Sequence, residues 1–287
     1  MNALMIVLII VGVILLGLAI LFLESFRELH RFRVREYEVS LPGSPKGRIL
    51  FLSDYHEAVG GKLNERLLAK AAELRPDVIL IGGDMVNGIH ENEDTSPAEE
   101  LINGLAGIAP VYQAFGNHER RMMAHNGETG YDWEGYVKRL DPSIRFLTNE
   151  SVKVPLPVGE IRLYGLDMEY VYFRKKGERL TVEVMDRYLG KAEKETPVVL
   201  LAHDPSWGKV YSDWGADLTL AGHYHGGIIR LPLIGGFVSP KMDLFPHYDY
   251  GVYQEGENQM LVSSGLGQHT IPVRFNNLPE LCLIVLR

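Results

Sequence analysis

Cysteine occurs once in 287 residues, at Cys282, and that scarcity excludes both an internal disulfide framework and a thiolate-based zinc site. The lone thiol sits in the apolar run 281–286 and reads as a small buried hydrophobe. Positive charge is scarce as well. Against 37 Asp and Glu stand 29 Lys and Arg, a net charge of −8, so the basic excess that general nucleic-acid binding requires is missing. No general nucleic-acid partner is expected, and any phosphate the protein handles must be attracted locally. Internal repeats, low-complexity tracts and a dividing linker are missing too, so the chain beyond its first stretch reads as one folded unit. Hydrophobic residues still reach 46%, enough for a sizeable core.

Charge is wholly absent from residues 3–23. At 1.5 Å rise per residue this run makes roughly 30 Å of helix, the thickness of a bilayer core. A cleaved signal peptide would place basic residues ahead of a shorter apolar run and a small-x-small site behind it. This run begins almost at once and ends in Leu21-Phe22-Leu23-Glu24, which predicts a retained, single-pass anchor with the bilayer as partner. No Lys or Arg precedes it, whereas Arg27, Arg31, Arg33 and Arg35 follow, so the positive-inside rule puts the bulk of the chain on the cytoplasmic side of the cell membrane. Residues 24–47 then form a juxtamembrane segment with a first strand at 33–41, and residues 48–287 form the folded body.

Hydrophobic periodicity divides that body into alternating elements. Strands are expected at 48–53, 77–82 and 111–115, with helices at 64–74 and 97–105 between them, the βαβ alternation of a layered α/β fold. Further helices are expected at 132–140 and 182–194, and further strands at 152–155, 160–165, 198–202, 217–221, 260–264 and 281–286. Residues 122–131 and 167–177 read as long polar loops. Five of the apolar strands stop at polar residues: Asp54-x-His56, Gly83-Asp84, Gly116-Asn117-His118-Glu119, His203, and Gly222-His223-Tyr224-His225-Gly226-Gly227. In layered α/β folds ligands sit beyond the carboxyl ends of strands, so these ends are expected to converge. If the last of them stays extended, alternation points His223 and His225 to the same side.

Taken singly, each residue has a plainer role: Asp54 a cap, Asp84 a turn residue, Asn117 a left-handed corner, His203 a core histidine. Taken jointly, they supply carboxylate, carboxamide and imidazole groups suited to Mn²⁺, Fe²⁺ or Zn²⁺. Two such ions about 3.5–4 Å apart clamp an in-line displacement at phosphorus.

In order and approximate spacing the five motifs resemble those of the calcineurin-like metallophosphoesterase superfamily, over about residues 49–227. The N-terminal anchor, Gly226-Gly227, the tail Ser264-Gly265-Leu266-Gly267, Pro272-Val273-Arg274 and Pro279-Glu280 resemble its membrane-anchored branch, which includes phosphodiesterases and UDP-2,3-diacylglucosamine pyrophosphohydrolase-like enzymes. The resemblance implies a four-layer αββα sandwich in residues 48–287, and two divalent metal ions, Mn²⁺ foremost. It implies that Asp54, His56 and His225 bind one metal and Asn117, His203 and His223 the other, with Asp84 bridging. Asp84, Asn117 and His118 are then the catalytic set, with His118 acting on the substrate and a metal-bridging hydroxide attacking phosphorus. Glu119 would orient His118 or a metal ligand from behind. The sequence departs from the family at Tyr55, where Leu is common, and at Glu57, both expected at the pocket rim.

Arg274 and Arg174 are candidate substrate contacts. Arg174, Lys175, Lys176 and Arg179 read first as a solvated charged face and second as a grip on phosphate or anionic lipid, whereas Arg274 reads equally as a phosphate contact and as an ordinary surface ion pair. The leading reading is a membrane-anchored hydrolase of a phosphodiester or pyrophosphate, with a lipid-linked substrate suggested by the tether. The alternatives are a broad phosphodiesterase of soluble nucleotides and a metal-binding membrane scaffold without turnover.

Overall fold

A computed structural model describes residues 3–56, 60–88, 93–128, 130–268 and 273–287. In chain order the first half consists of α1 (Ala3–Leu29), β1 (Arg33–Val39), β2 (Gly47–Leu52), α2 (Lys62–Leu74), β3 (Val78–Ile81), α3 (Ser96–Ala106), β4 (Val111–Gln113), α4 (Asn117–Ala124), α5 (Trp133–Arg139) and β5 (Arg145–Phe146). The second half adds β6 (Glu150–Pro155), β7 (Glu160–Leu166), α6 (Val182–Leu189), β8 (Val198–Ala202), α7 (Gly208–Trp214), β9 (Leu218–Ala221), β10 (Arg230–Leu231), β11 (Gly235–Gly236), β12 (Gly251–Glu255), β13 (Asn258–Val262) and β14 (Glu280–Leu286). Glu57 and Pro272 lie outside the described residues.

Two six-stranded sheets result, ordered β1-β14-β2-β3-β4-β5 and β12-β13-β9-β8-β7-β6. In the first, β2 to β5 run parallel and β14 opposes β2; in the second, β7, β8, β9 and β13 run parallel, flanked by antiparallel β6 and β12. The strands are short, continuous apolar runs because both faces are covered. Alternation along each strand sorts its residues. Ile49 and Phe51 of β2, Val78 and Leu80 of β3, Val199 and Leu201 of β8 and Leu218 and Leu220 of β9 meet between the sheets. Leu50, Leu52, Ile79 and Ile81 face the opposite way, onto Leu67 and Ala71 of α2 and Leu101 and Leu105 of α3. Val198, Leu200 and Ala202 face outward onto Val184 and Met185 of α6 and Tyr211 and Trp214 of α7. The order of layers is therefore α, β, β, α, and each fully buried aliphatic contributes roughly 1.5–3 kcal/mol to holding it.

The expected strands and the helices over α2, α3 and α5 are present with ends shifted by a few residues. Two expectations need correcting, and one element went unread. The polar loop expected from residue 122 begins later, because α4 continues through Ala124. The helix expected over 182–194 is α6 alone and ends at Leu189, where the Gly190 N–H closes on the Asp186 carbonyl. Residues 208–214, unassigned from the sequence, form α7.

The apolar helix α1 extends past Glu24 to Leu29. From Leu4 to Leu23 it stands clear of the sheets, while Ser25 and Glu28 in its last turns are buried. Ser25 Oγ accepts the Arg274 N–H at 2.8 Å and Glu28 Oε2 accepts the Asn277 N–H at 2.9 Å. By length and composition α1 is able to cross a membrane.

Candidate metal centre

The five strands that end in motif residues deliver them to one edge of the sandwich. Asp54 and His56 follow β2, Asp84 follows β3, Asn117 and His118 open α4 after β4, His203 follows β8, and His223 and His225 follow β9. All eight are buried. Asp54, His56, Asp84, His223 and His225 share a left-handed backbone, φ between 47° and 64°, which non-glycine residues rarely adopt. Such strain persists only where the surroundings over-determine it. Two glycines are part of that constraint. A Cβ on Gly116 would lie 2.0 Å from Asp84 Oδ1, and one on Gly222 would lie 2.2 Å from Asp54 Oδ2. Only glycine lets these loops approach the two carboxylates.

Glu119, fully buried, holds three backbone amides. Its Oε2 accepts from Asp84 N at 2.8 Å and Gly116 N at 2.9 Å, and its Oε1 accepts from Met85 N at 2.6 Å. It therefore clamps the turn after β3 to the start of α4, acting on the backbone of Asp84 rather than on the ring of His118. The Asp84 carboxylate in turn accepts the His118 N–H at 2.9 Å, and Asp54 accepts from His223 N at 2.8 Å and Ser53 Oγ at 2.5 Å.

The imidazoles are aimed by backbone carbonyls, which only accept hydrogen bonds, so the nitrogen facing each carbonyl carries the proton. His203 Nδ1 donates to Gly82 O at 2.8 Å, leaving Nε2 2.9 Å from Asp84 Oδ2. His118 Nδ1 donates to Asn87 O, and its Nε2 lies 3.8 Å from Asp84 Oδ2. His56 and His225 present their Nε2 atoms to each other at 3.1 Å. Donor atoms within 4.8 Å of one another form three groups: Asp54, His56 and His225; His56, Asp84 and His118; Asp84, His203 and His223.

These residues fit divalent cations on three grounds. Asn117 Oδ1 and His223 Nε2 are buried with no hydrogen-bond partner among the described residues, which is costly without a further ligand. Burial holds His223 down to about 3, a neutral ring with a lone pair to give. Charge is also out of balance. Burial lifts Asp54 to about 6, with Asp84 adding to the effect against His203. His203, which burial alone would lower, is pushed up to about 10 by the Asp84 and Asp54 carboxylates. The acidic pair thus calls for positive charge where His203 points, and a cation supplies more of it than a proton.

The structure places His223 and His225 differently from the extended reading. Left-handed φ at both, with a helical turn at Tyr224 between them, coils the segment, so His223 joins Asp84 and His203 while His225 joins Asp54 and His56. Arg274 also needs correcting. It is 1% exposed, and its guanidinium donates to the carbonyls of Gly267, Asn277 and Ser264 at 2.5–3.1 Å. No direction remains open for a substrate phosphate, so it ties the tail together instead. Arg174 lies elsewhere, exposed on a cleft of about 300 Å³ whose walls include Asn117, His118, His223, Arg121, Lys175 and Lys241.

Sequence reasoning passed over two supports. Lys241 Nζ reaches buried Asp204 at 2.5 Å and Ser206 Oγ at 3.0 Å, fixing the loop after His203. Phe173 packs its ring against His203 and His223, with centroids 6.2 and 5.6 Å away. Asp204 beside a motif histidine was a legible signal for the first; nothing near Lys241 or Phe173 marks either in the sequence.

The calcineurin-like phosphoesterase family profile matches residues 47–227. Phosphodiesterase YaeI of Escherichia coli (strain K12) is 29% identical over 251 residues, covering 83% of this chain and 82% of that protein. A Danio rerio protein named "Transmembrane protein with metallophosphoesterase domain" is 30% identical over 259 residues, 86% of this chain and 55% of its own length. Among solved structures, a dimetal phosphatase from Danio rerio overlies 85% of this chain and 100% of its own, with a TM-score of 0.43 and 12% identity.

Proposed function

Because the chain belongs to the calcineurin-like phosphoesterase family, and is a metal-dependent phosphoester hydrolase, we propose that it is a membrane-anchored binuclear enzyme cleaving a phosphodiester or pyrophosphate bond, with a lipid-linked substrate. The observation that carries this reading is the sharing of ligands: Asp84 belongs to the group with His203 and His223 and to the group with His56, which itself belongs with Asp54 and His225. Asp54, His56 and His225 would hold one cation, Asn117, His203 and His223 the second, and Asp84 both. The cations, when bound, acidify coordinated water and offset charge that grows on phosphoryl oxygens; Mn²⁺ suits the mixed oxygen and nitrogen donors.

The chain's own groups do the rest. With Nδ1 committed to Asn87, His118 offers only Nε2 to the cleft, where, once the ring has taken up a second proton, it would donate to a phosphoryl oxygen or protonate the departing one. Arg121, Arg174, Lys175 and Lys241 give an acidic protein a local cationic wall for an anionic substrate. Phe173 packs against His203 and His223 at the wall of the cleft. The uncleaved anchor α1, with Arg27, Arg31, Arg33 and Arg35 behind it, sets the cleft on the cytoplasmic face.

The test is a panel run with the purified full chain and Mn²⁺, Fe²⁺ or Zn²⁺ in turn. An activated phosphodiester, nucleotide diesters, sugar-nucleotide pyrophosphates and lipid-linked pyrophosphates are offered side by side. Turnover with preference for the lipid-linked substrates supports the reading. Preference for soluble nucleotides replaces the lipid part of it, and metal binding without turnover leaves a scaffold.

A further inference from the structure

Outside α1, eight large apolar side chains among the described residues are strongly exposed, and five of them fall in one short segment: Leu233, Ile234, Met242, Leu244 and Phe245. Leu233 shows its whole side chain to solvent and Met242 is 70% exposed. A soluble surface seldom gathers apolar groups in this way without a partner. The backbone adds to the cost, since Leu233, Met242 and Phe245 all sit at left-handed φ of 53–66°, unfavourable for bulky side chains.

Three connections say what the partner is. The segment begins at the seam that holds the anchor. Asn277, whose N–H caps Glu28 of α1, donates its side-chain amide to His225 O and Ile228 O, and Ile229 bridges Phe275 in parallel. From Ile229 the hydrogen bonds pass to Phe237 and then to Phe245. Next, cationic groups border the apolar ones: Lys175 bonds the Met242 carbonyl and pairs with Asp243, and Arg174 stands beside it over the Tyr170 ring. Apolar residues bordered by Lys and Arg are the composition of a surface that rests in an anionic headgroup layer. Last, Lys241 and Met242 line the same cleft as Tyr170, Arg174, Lys175 and His118.

We propose that the 233–245 segment is a second membrane contact, lying in the interface of the leaflet that α1 leaves, so that the cleft opens onto lipid headgroups and admits the phosphoester of a membrane lipid. The proposal rests on the reading of α1 as an anchor. It makes the tether more than a leash: the helix brings the chain to the bilayer, and this segment fixes which face meets it.

The full chain, reconstituted in nanodiscs of phosphatidylcholine and phosphatidylglycerol, tests this by depth-dependent quenching. Cys282 is buried, so a dye can be placed on Leu233→Cys, Phe245→Cys, Phe22→Cys in α1, and Glu195→Cys just before β8, at the opposite end of the sheets. Lipids spin-labelled near the headgroup are expected to quench the dye at Leu233→Cys, Phe245→Cys and Phe22→Cys and to spare Glu195→Cys. Quenching at Phe22→Cys alone overturns the second contact and leaves the anchor standing; no quenching at Phe22→Cys removes the anchor and this inference with it. Shielding of Leu233→Cys that grows with protein concentration and ignores the lipid label assigns the surface to a second copy of the chain and overturns the proposal. In parallel, Leu233→Ser with Ile234→Ser and Leu244→Ser is expected to slow hydrolysis of a lipid-phase phosphodiester by about tenfold or more while a soluble activated diester turns over as before, since interfacial affinity scales with apolar area. Equal rates on both substrates overturn it.

Discussion

His56 and His225 stand 169 positions apart in the chain, yet their Nε2 atoms are 3.1 Å from each other and their rings are stacked within 22° of parallel. Two imidazoles that converge nitrogen to nitrogen beside the Asp54 carboxylate are arranged for a shared cation. Stripping the protein with a chelator is therefore expected to lower its melting temperature as well as its activity. Restoring Mn²⁺ at a hundred times its dissociation constant should return about 2.7 kcal/mol of stability for each site filled, read by calorimetry against metal concentration.

Asp84 and His118 are expected to fail in different ways. Asp84→Asn removes charge from the residue common to two donor groups, so both bound metal and turnover should fall. His118→Asn should keep its metal content and melting temperature and lose about 100- to 10,000-fold in rate on a poor leaving group. Metal analysis beside kinetics separates the two, and an activated leaving group should recover part of the His118→Asn loss.

Glu119→Gln keeps the shape of the side chain and discards the charge that three backbone amides share. The expected cost is about 1–3 kcal/mol in unfolding free energy, with weaker metal binding, because the turn carrying Asp84 is released. Denaturant titration and a metal titration on the same sample measure both.

The two arginines expected at the substrate should now behave oppositely. Arg274→Lys strands the carbonyls of Gly267, Asn277 and Ser264 in a buried site, so it should lower stability by about 2–4 kcal/mol. Arg174→Ala should leave the melting temperature in place and raise KM for an anionic substrate severalfold. Thermal melts and steady-state kinetics on both variants distinguish the roles.

Much of this architecture was legible because local rules and tertiary demands agree in it. Buried strands such as β3 and β8 read as apolar runs with polar stops, and five of those stops carry the residues that gather at the candidate centre. The failures have physical causes. Alternation misplaced His223 relative to His225 because it assumes an extended backbone, and side-chain constraints at Asp54 had already bent that segment. α4 went unread because Gly116 has no side chain to cap a helix, so only the Glu119 half of a capping arrangement stands there, and the polar residues of the segment resemble a loop. Arg274 misled because a charged residue in a polar tail looks solvent-facing, and burial is a property of packing that no single segment records.

The placement of β14 carries a consequence for how the molecule comes into being. Residues 280–286 lie between β1 and β2, pairing with both, so the sheet that bears Asp54 and Asp84 stays open until that stretch leaves the ribosome. By then α1 has long since emerged, so on the proposed reading of α1 as an anchor its insertion into lipid would precede closure of the sheet during synthesis. On that reading tethering would come first and cation loading last, and a nascent chain halted before residue 280 would be expected to reach the bilayer as an inert precursor.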